Sequence, residues 1–280
     1  MNITLVGLGV IGGSIGLSLR GKIYGVNIQG IDLKQETIVK AFELGIIEKG
    51  GVADSNEAKE ILQDADMIIL SLYPDDIKNF IEKNKANFKK GIVIVDTSGV
   101  KNNILKNIEI SDDIDFILTH PMAGREKSGI EYASRKVFIG ANFIITRTDK
   151  NKEENIDEVK FLARKMGFLN IVETEVEEHD NIIAFTSQLP HAIAVSLVNS
   201  DNLDVDTGLF TGDSYKEITR IANINEKLWS DLFLKNKENL INKITDFEDE
   251  LKKLKDAIKN DDRENLESLF VSATNKRKNL

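Results

Sequence analysis

The opening of the chain constrains its fold more than any other segment. Residues 3–6 form a strand-like apolar run that leads into Gly-Leu-Gly-Val-Ile-Gly, and a helical pattern follows at once. Gly7 permits a tight turn, Gly9 lets the backbone approach a phosphate at the helix N-terminus, and Gly12 lets the helix pack closely on the strand. The order of strand, turn and helix predicts a dinucleotide-binding site lined by these glycines and by Ile11.

An acidic residue follows at the distance expected for such a turn. Asp32 ends the second strand-like run, 20 residues after Gly12. A carboxylate there accepts hydrogen bonds from both ribose hydroxyls and repels a 2′-phosphate, so the sequence predicts NAD rather than NADP as cofactor. Ser71 comes directly after the apolar run of residues 67–70. We expect it beside the nicotinamide half of the cofactor.

Strand-like runs alternate with amphipathic stretches through the first 175 residues. The strand-like runs are residues 2–7, 28–32, 67–70, 92–96, 116–119, 143–146 and 170–173. The helical stretches are residues 10–20, 35–44, 55–63, 74–87, 100–108 and 155–166. Alternation of strands and helices implies parallel pairing through right-handed crossovers. The predicted fold class is therefore α/β, with a doubly wound Rossmann sheet at the N-terminus.

The pattern changes near residue 175, after which only helical periodicity remains. Residues 179–199, 213–222, 226–254 and 264–274 all fit helices. We therefore predict a dinucleotide-binding domain over residues 1–175 and an all-helical substrate and dimerisation domain over residues 176–280. Because the apolar stripes of such helices usually need a second surface to cover them, we expect a homodimer.

Composition excludes several other classes. The 280-residue chain contains no cysteine, which rules out a disulfide framework, a thiolate zinc site and a cysteine nucleophile, and we predict no metal site. Its formal net charge of −9 argues against general nucleic-acid binding. The chain opens without a signal-peptide pattern, and its apolar runs are too short to span a bilayer. We expect a cytoplasmic protein without nucleic-acid or membrane partners.

The chain has only three histidines, and each lies in a distinctive context. His120 ends an apolar run and opens His-Pro-Met-Ala-Gly, which closes at Gly124. His179 lies near the start of the long helical stretch, and His191 ends the segment Ser-Gln-Leu-Pro-His within it. Open α/β sheets bind ligands beyond the carboxyl ends of their strands, which is where His120 is expected.

With these motifs in place, the sequence resembles the prephenate dehydrogenase family, which includes arogenate and cyclohexadienyl dehydrogenases. The matching segments are Gly-Leu-Gly-Val-Ile-Gly-Gly-Ser from Gly7, Asp-Thr-Ser-Gly-Val-Lys from Asp96, His-Pro-Met-Ala-Gly from His120, Leu-Pro-His ending at His191, and Thr-Arg-Ile-Ala from Thr219 followed by Leu228-Trp229. They occur in the family's order and cover the chain from about residue 3 to residue 235. The glycine motif alone is unspecific, whereas the later motifs together are specific.

The resemblance implies an oxidative decarboxylation, in which hydride leaves C4 of the substrate ring for NAD, carbon dioxide leaves C1, and the ring becomes aromatic. His120 would accept the proton of the C4 hydroxyl, because a neutral imidazole with a pKa near ~6.5 is a competent base. Ser98 would hydrogen-bond the same oxygen or His120 itself. Arg220 would pair with a substrate carboxylate, His191 would lie near the side chain of the substrate, and Gly124 would line the substrate side.

Several points stay open at this stage. The substrate can be prephenate, giving 4-hydroxyphenylpyruvate, or arogenate, giving tyrosine; a donor at His191 would suit the keto group of prephenate better. Gln188 stands where the family often has a histidine, and an amide can neither titrate nor act as a cation there. Arg125 and Glu126 either gate the site or lie in a solvated loop. His179 either neighbours a helix cap or bonds between the domains.

Two other classes share the expected architecture. A non-catalytic NAD-sensing protein would not need His120, Ser98 and Arg220 together. A β-hydroxyacid or imine dehydrogenase would typically rely on a lysine on the long helix after the sheet, but no lysine occurs between Lys165 and Lys216. We also expect a monofunctional enzyme, with neither a chorismate mutase domain before the glycine turn nor a regulatory domain after the helices.

Overall fold

The computed structural model of the chain describes residues 1–124 and 127–278. In this part the first half forms one sheet of eight strands. They are β1 (Asn2–Val6), β2 (Asn27–Asp32), β3 (Lys49–Val52), β4 (Met67–Leu70), β5 (Ile92–Asp96), β6 (Ile114–Pro121), β7 (Asn142–Thr146) and β8 (Asn170–Thr174). The spatial order is β3-β2-β1-β4-β5-β6-β7-β8. The first six strands thus follow the order of a doubly wound dinucleotide-binding sheet.

Helices cover both faces of this sheet. They are α1 (Val10–Leu19), α2 (Gln35–Glu43), α3 (Asn56–Asp64), α4 (Pro74–Asn84), α5 (Asn102–Asn107) and α6 (Glu153–Met166). Every residue of β4 and β5 is buried, as expected for central parallel strands that are covered on both sides. One apolar cluster lies on the face of α1 and α6, and a second lies on the face of α3 and α4. The doubly wound sheet predicted from the sequence is confirmed.

Two features of the sheet differ from the expectation. The strand β3 was not predicted, because Lys49-Gly50-Gly51-Val52 has no apolar run and pairs as an edge strand against β2. The strand β7 runs antiparallel to β6. The described part of the connection between them holds only the short 3₁₀ turns Ile130–Tyr132 and Arg135–Val137. A parallel pair would need a full crossover connection, usually a helix.

In residues 176–278 every regular element is helical. The elements are α7 (Val176–Ile183), α8 (Leu189–Asn199), α9 (Asp213–Thr219), α10 (Glu226–Lys235), α11 (Lys237–Lys259) and α12 (Arg263–Arg277), with short 3₁₀ turns between some of them. A π-helical turn, Ala184–Gln188, joins α7 to α8 just before Pro190. Proline has no backbone N–H to donate, so the regular hydrogen-bond ladder cannot run unbroken through this point.

The single helix expected over residues 226–254 is in fact two helices that meet at Asn236. The backbone of Asn236 leaves the helical range, with φ −119° and ψ 27°. Its side-chain amide donates to the backbone oxygen of Asp180 at 2.7 Å and to Oε1 of Gln188 at 2.9 Å. Asparagine side chains that bond distant groups compete with helix continuity. The break therefore ties α10 and α11 to the α7–α8 run.

The helical run Val176–Asn199 is long and apolar enough to cross a bilayer by length and composition. Only 28% of the most apolar 18-residue segment of this run is buried within one chain. The run also carries His179, Asp180 and Gln188, which are buried polar residues bonded to other parts of the protein. A helix at the core of a soluble assembly has the same composition, so this signal does not by itself indicate a membrane span.

The helical half leaves much apolar surface uncovered in a single chain. The helices α9, α10 and α12 bury no residue. Phe185, Leu209 and Phe210 are 60%, 81% and 80% exposed. Large apolar side chains exposed to this extent are typical of surfaces that another protein surface covers. It agrees with the expectation that the helical half dimerises.

We predict that the chain sediments with about twice the mass of one chain at micromolar concentration. Phe210→Asp should weaken this association at least about tenfold, because a charge would have to be buried in an apolar interface. The matched control is Leu169→Asp, since Leu169 is 72% exposed on the sheet half. A wild-type protein that sediments as a monomer would rule out the dimer, and equal weakening by both variants would rule out this surface.

Candidate functional site

A cavity of about 1150 Å³ lies between the carboxyl ends of the strands and the helical half. All the site residues expected from the sequence line it. They are Gly7, Gly9, Ile11, Gly12, Asp32 and Ser71 for the cofactor, Ser98 and His120 for catalysis, and Gly124, His191 and Arg220 for the substrate. The structure thus brings together residues that span more than 200 positions of the sequence. Arg125 and Glu126 lie outside the described residues.

The glycine turn has the geometry that a diphosphate needs. Gly7 has φ +85°, and a Cβ on Gly12 would lie 2.0 Å from the Gly7 oxygen, so larger residues would break the turn. A Cβ on Gly9 would meet nothing within 4 Å, which leaves the backbone open to the cavity. The first intrahelical bond of α1 runs from Gly13 N to Gly9 O. The N–H groups of Val10, Ile11 and Gly12, in the first turn of α1, therefore have no acceptor within the helix and can bind an anion.

Asp32 is fixed by backbone donors at the end of β2. Its Oδ2 accepts from Leu8 N at 2.9 Å, and its Oδ1 accepts from Lys34 N at 3.0 Å. Each carboxylate oxygen has further lone-pair capacity for a ribose hydroxyl. The turn and Asp32 together fit a dinucleotide without a 2′-phosphate.

Ser98 lies at the carboxyl end of β5 but does not bond His120. Its Oγ lies 3.0 Å from Asp96 Oδ2 and 3.1 Å from Val100 O, both of which are acceptors. The single hydroxyl proton is therefore used within the β5–α5 turn. Of the two partners expected for Ser98, His120 is not bonded to it in this structure, because Asp96 and Val100 O hold the hydroxyl. The bond to the substrate oxygen stays a prediction. What remains for Ser98 is to accept a hydrogen bond at the edge of the cavity.

Beneath Ser98 lies a fully buried ion pair that the sequence analysis did not single out. The Nζ of Lys101 contacts Asp96 Oδ2 at 2.5 Å, Ser98 O at 2.6 Å and Thr119 O at 2.5 Å. All three ammonium donors thus have partners. Burial lowers the pKa of Lys101, while Asp96 acts in the opposite direction. The motif Asp-Thr-Ser-Gly-Val-Lys carried the only sequence signal for this pair.

His120 lies at the end of β6 with its ring half-buried at the base of the cavity. Its Nδ1 is 3.1 Å from Nε2 of His179, and His179 Nδ1 is 2.7 Å from Asp180 Oδ1. Removal from solvent lowers the pKa of His120 well below 6.5, and His179 and Lys101 lower it further. Burial likewise lowers the pKa of His179, although Asp180 opposes this. Both rings are therefore neutral at cellular pH, and His179 makes one of the bonds between the two halves.

His191 lines the cavity from α8. Its ring stacks on Trp229 with centroids 3.6 Å apart, and its Nδ1 donates to the carbonyl of Ser187 at 2.8 Å. A neutral ring that donates from Nδ1 has an acceptor at Nε2. The expectation that His191 offers a donor to the substrate therefore holds only for the protonated ring.

Gln188 is also a cavity-lining residue, but its amide is engaged elsewhere. Its Nε2 donates to Leu232 O at 3.0 Å, and its Oε1 accepts from Asn236. Only 1% of the residue is exposed. Gln188 therefore links three helical segments, and its main contribution here is to hold the wall of the cavity.

The phosphate-binding turn, the acidic residue on β2 and a neutral histidine facing the same cavity define an NAD-dependent dehydrogenase of the Rossmann class. The model for the nucleotide-binding domain of prephenate dehydrogenase matches residues 15–171. The model for the dimerization domain of prephenate dehydrogenase matches residues 175–272. The chain belongs to the prephenate dehydrogenase family, as the sequence motifs predicted.

Individual relatives agree with this assignment. The chain is 30% identical to a prephenate dehydrogenase of Bacillus subtilis, over 99% of this chain and 76% of that protein. It is 25% identical to a cyclohexadienyl dehydrogenase of Zymomonas mobilis, over 93% of this chain and 89% of that protein. The crystal structure of a prephenate dehydrogenase from A. aeolicus, in complex with hydroxyphenyl propionate and NAD⁺, superposes with a TM-score of 0.90. It is 30% identical and covers 100% of this chain and 98% of that one.

We predict that the protein uses NAD with higher kcat/KM than NADP, and that Asp32→Asn lowers this preference about tenfold or more. The change removes the charge that repels a 2′-phosphate but keeps an acceptor for Leu8 N. The matched control is Asp66→Asn, because Asp66 also accepts from a backbone N–H but directly precedes β4, at the amino ends of the strands. Steady-state kinetics with both cofactors measure the ratio, and equal use of NAD and NADP by the wild type would contradict the prediction.

Proposed function

We propose that this protein catalyses the NAD-dependent oxidative decarboxylation of prephenate to 4-hydroxyphenylpyruvate, a step of tyrosine biosynthesis. The observation that carries the proposal is the position of His120. It lies at a strand end, in one cavity with the glycine turn and with Arg220. Bound at that turn, NAD supplies the hydride acceptor. The rest of the chemistry requires a proton acceptor, a carboxylate anchor and a cavity that orients the ring.

His120 supplies the proton acceptor. As hydride leaves C4, the hydroxyl on that carbon must lose its proton to become a carbonyl. A neutral imidazole within hydrogen-bond reach accepts it. When carbon dioxide leaves C1, its bonding electron pair moves through the ring to the C4 oxygen, and the imidazole can return the proton there to give the phenol. Ser98, whose own proton is held by Asp96 or Val100, lines the same side of the cavity. The lowered pKa of His120 keeps the base available below the usual imidazole range.

Arg220 supplies the anchor for a carboxylate. It lies at the end of α9 on the rim of the cavity, across from the sheet. Its planar guanidinium matches a carboxylate with two parallel donors. His191, stacked on Trp229, lies beside it in the cavity wall and is placed to contact the substrate side chain. The helical half thus binds the substrate, while the sheet half holds the cofactor and the base.

Arogenate is the second candidate substrate, and one observation favours it. Because His191 Nδ1 donates to Ser187 O, a neutral His191 offers an acceptor at Nε2. An acceptor suits the ammonium group of arogenate, whereas a protonated His191 suits the keto group of prephenate. The similarity to a protein named cyclohexadienyl dehydrogenase is consistent with this second candidate.

The assignments that remain proposals concern assembly and location. We propose a homodimer formed through residues 176–280, with residues 1–175 as the dinucleotide-binding domain. The match to a dimerization domain and the exposed apolar side chains support this. We further propose a cytoplasmic protein that acts on a small molecule and has neither nucleic-acid nor membrane partners.

The function is tested directly by following NADH absorbance with purified protein, NAD and either substrate. We expect turnover of prephenate with release of carbon dioxide and an aromatic product. A higher kcat/KM for arogenate would replace prephenate by the second candidate. No turnover of either compound, with NAD binding intact, would overturn the proposed reaction.

His120→Asn should lower kcat by about 10² to 10⁴, because a positioned base is worth that much in rate. In the wild type, kcat should stay constant near neutral pH and decrease only below pH 6.5, the ordinary imidazole pKa, since the pKa of His120 is lowered. This decrease is the acid limb of the pH profile. The variant should lose this acid limb and still bind NAD. The matched change His191→Asn should mainly raise KM and keep the limb. Near-normal kcat in the His120 variant would show that another group is the base.

Arg220→Ala should raise KM for prephenate strongly and leave NAD affinity nearly unchanged. The loss should be about 2–5 kcal/mol if the paired carboxylate is removed from water. Lysine at this position should restore only part of the affinity, because it lacks the planar pair of donors. Arg164→Ala, on the exposed side of α6, is the control. A wild-type KM in the Arg220 variant would show that a different cation anchors the substrate.

A further inference from the structure

Asp180 is a buried carboxylate that only donors approach. Its two oxygens accept from the backbone N–H groups of Lys101, at 2.9 and 3.3 Å, and of Asn102, at 2.8 Å. Its Oδ1 also lies 2.7 Å from Nδ1 of His179. Only 1% of Asp180 is exposed. The two backbone N–H groups can only donate. The imidazole nitrogen of His179 could donate or accept, so the direction of its bond follows from the carboxylate.

The direction of each bond follows along the chain of contacts. A carboxylate only accepts, so Nδ1 of His179 carries a proton and donates it. A neutral imidazole has one N–H, so Nε2 of His179 is an acceptor. The 3.1 Å contact between that atom and Nδ1 of His120 then requires the proton to lie on His120 Nδ1. In a neutral His120, Nε2 must therefore be bare.

The bare nitrogen is on the cavity side of the ring. A Cβ built on Gly99 would lie 3.6 Å from His120 Nε2 and 3.4 Å from the side chain of Leu232. Gly99 and Leu232 both line the cavity. Nδ1 of His120 faces His179, which does not line the cavity. The two ring nitrogens therefore face different surroundings, Nδ1 the protein and Nε2 the cavity.

We propose that Asp180 and His179 are positioning residues that fix the tautomer of His120, so that Nε2 is the atom that accepts the substrate proton. The inference rests on the proposed role of His120 as the base. Protonation of Nε2 leaves His120 Nδ1 donating to His179, so no bond in the chain has to reverse during the reaction. The opposite tautomer would place a proton on Nε2 and could not accept another.

The helical half therefore controls a base that belongs to the sheet half. Among the described residues, the charged and titratable groups around His120 are His179 and Asp180 from α7, Lys101 from the β5–α5 turn and Asp96 from β5. The Lys101 ammonium faces away into the strand ends, where Asp96 neutralises it. Asp180 is thus the group that acts on the histidine pair through a hydrogen bond.

Asp180→Asn is the decisive variant. The oxygen of the new amide would take the place of Oδ2, where both backbone N–H groups still reach it, Asn102 N at 2.8 Å and Lys101 N at 3.3 Å. The shorter bond from Lys101 N to Oδ1 would be lost, whereas the other orientation would set the NH₂ against Asn102 N and leave that donor without an acceptor. The NH₂ would then face His179 Nδ1, which would have to become an acceptor. His179 would donate from Nε2, and His120 would carry its proton on the cavity side. The same inversion in the serine protease triad lowers kcat about 10⁴-fold.

We expect Asp180→Asn to lower kcat by about 10² to 10⁴ with little change in KM for prephenate or in NAD affinity. The matched control is Glu178→Gln, because Glu178 is an exposed carboxylate on the same helix whose contact is with the Thr174 hydroxyl. The control should keep wild-type kcat. A loss confined to KM or to thermal stability would indicate a merely structural Asp180 and would overturn the proposal.

The tautomers themselves can be read by ¹⁵N NMR of imidazole-labelled protein without substrate, because the chain has only three histidines. In the wild type, His120 and His179 should show a protonated Nδ1 and a bare Nε2. In Asp180→Asn both should switch, while His191, which donates from Nδ1 to Ser187 O, should stay as it is.

The wild-type spectrum keeps the test valid even if the Asp180 variant does not fold. A protonated Nε2 on His120 in the wild type overturns the proposal at once. If His120→Asn loses activity but Asp180→Asn does not, the positioning role fails and the base assignment stands. If His120→Asn keeps its activity, the proposed function fails, whatever the tautomers show.

Discussion

The arrangement of the site depends on one buried charge. The ammonium of Lys101 has no exposed surface and is held by Asp96, Ser98 O and Thr119 O. These acceptors belong to the ends of two neighbouring strands, so the pair holds the carboxyl ends of β5 and β6 at a fixed separation. Taking two charges out of water is costly, and removing one partner would leave the other uncompensated. The pair therefore fixes geometry more than it adds stability.

The same lysine connects the strands to the helical half through its backbone. Lys101 N donates to Asp180, which in turn orients His179 and, through it, His120. The path starts and ends at the carboxyl edge of the sheet, because His120 follows Thr119 directly on β6. The base is thus held from both domains at once. A shift of α7 relative to the sheet would disturb the ring of His120 before it disturbed the glycine turn.

How far the sequence predicted this structure depends on the kind of signal. The parallel strands with long apolar runs and the glycine turn were predictable, because burial on both faces and a phosphate-binding turn leave strong local patterns. The strand β3 was not, since its residues are mostly glycine and its pairing is set by β2. The break at Asn236 was also missed, because it is caused by bonds to Asp180 O and Gln188 that lie about 50 positions away.

In the site, too, some features were predictable from the sequence and others were not. Motifs identified the residues that line the cavity, but not the direction of their hydrogen bonds. Ser98 was expected to reach the substrate oxygen or His120, yet its hydroxyl proton is held within its own turn by Asp96 or Val100 O. His191 was expected to donate, yet the carbonyl one helical turn back takes its proton. In both cases an acceptor close by in the chain holds the proton. A single sequence does not show which of two possible acceptors is nearer in space.

Gln188 illustrates why a departure from a family motif need not disturb the chemistry. A histidine at this position could titrate, whereas the amide of Gln188 cannot. Here the amide donates to Leu232 O on α10 and accepts from Asn236, whose other proton bonds the backbone oxygen of Asp180. Leu232 O needs a donor and the Asn236 amide needs an acceptor, and the neutral amide of Gln188 supplies both at every pH. The replacement therefore makes the support behind Asp180 independent of protonation, and the proton chemistry proposed for the site stays with His120 and its partner His179.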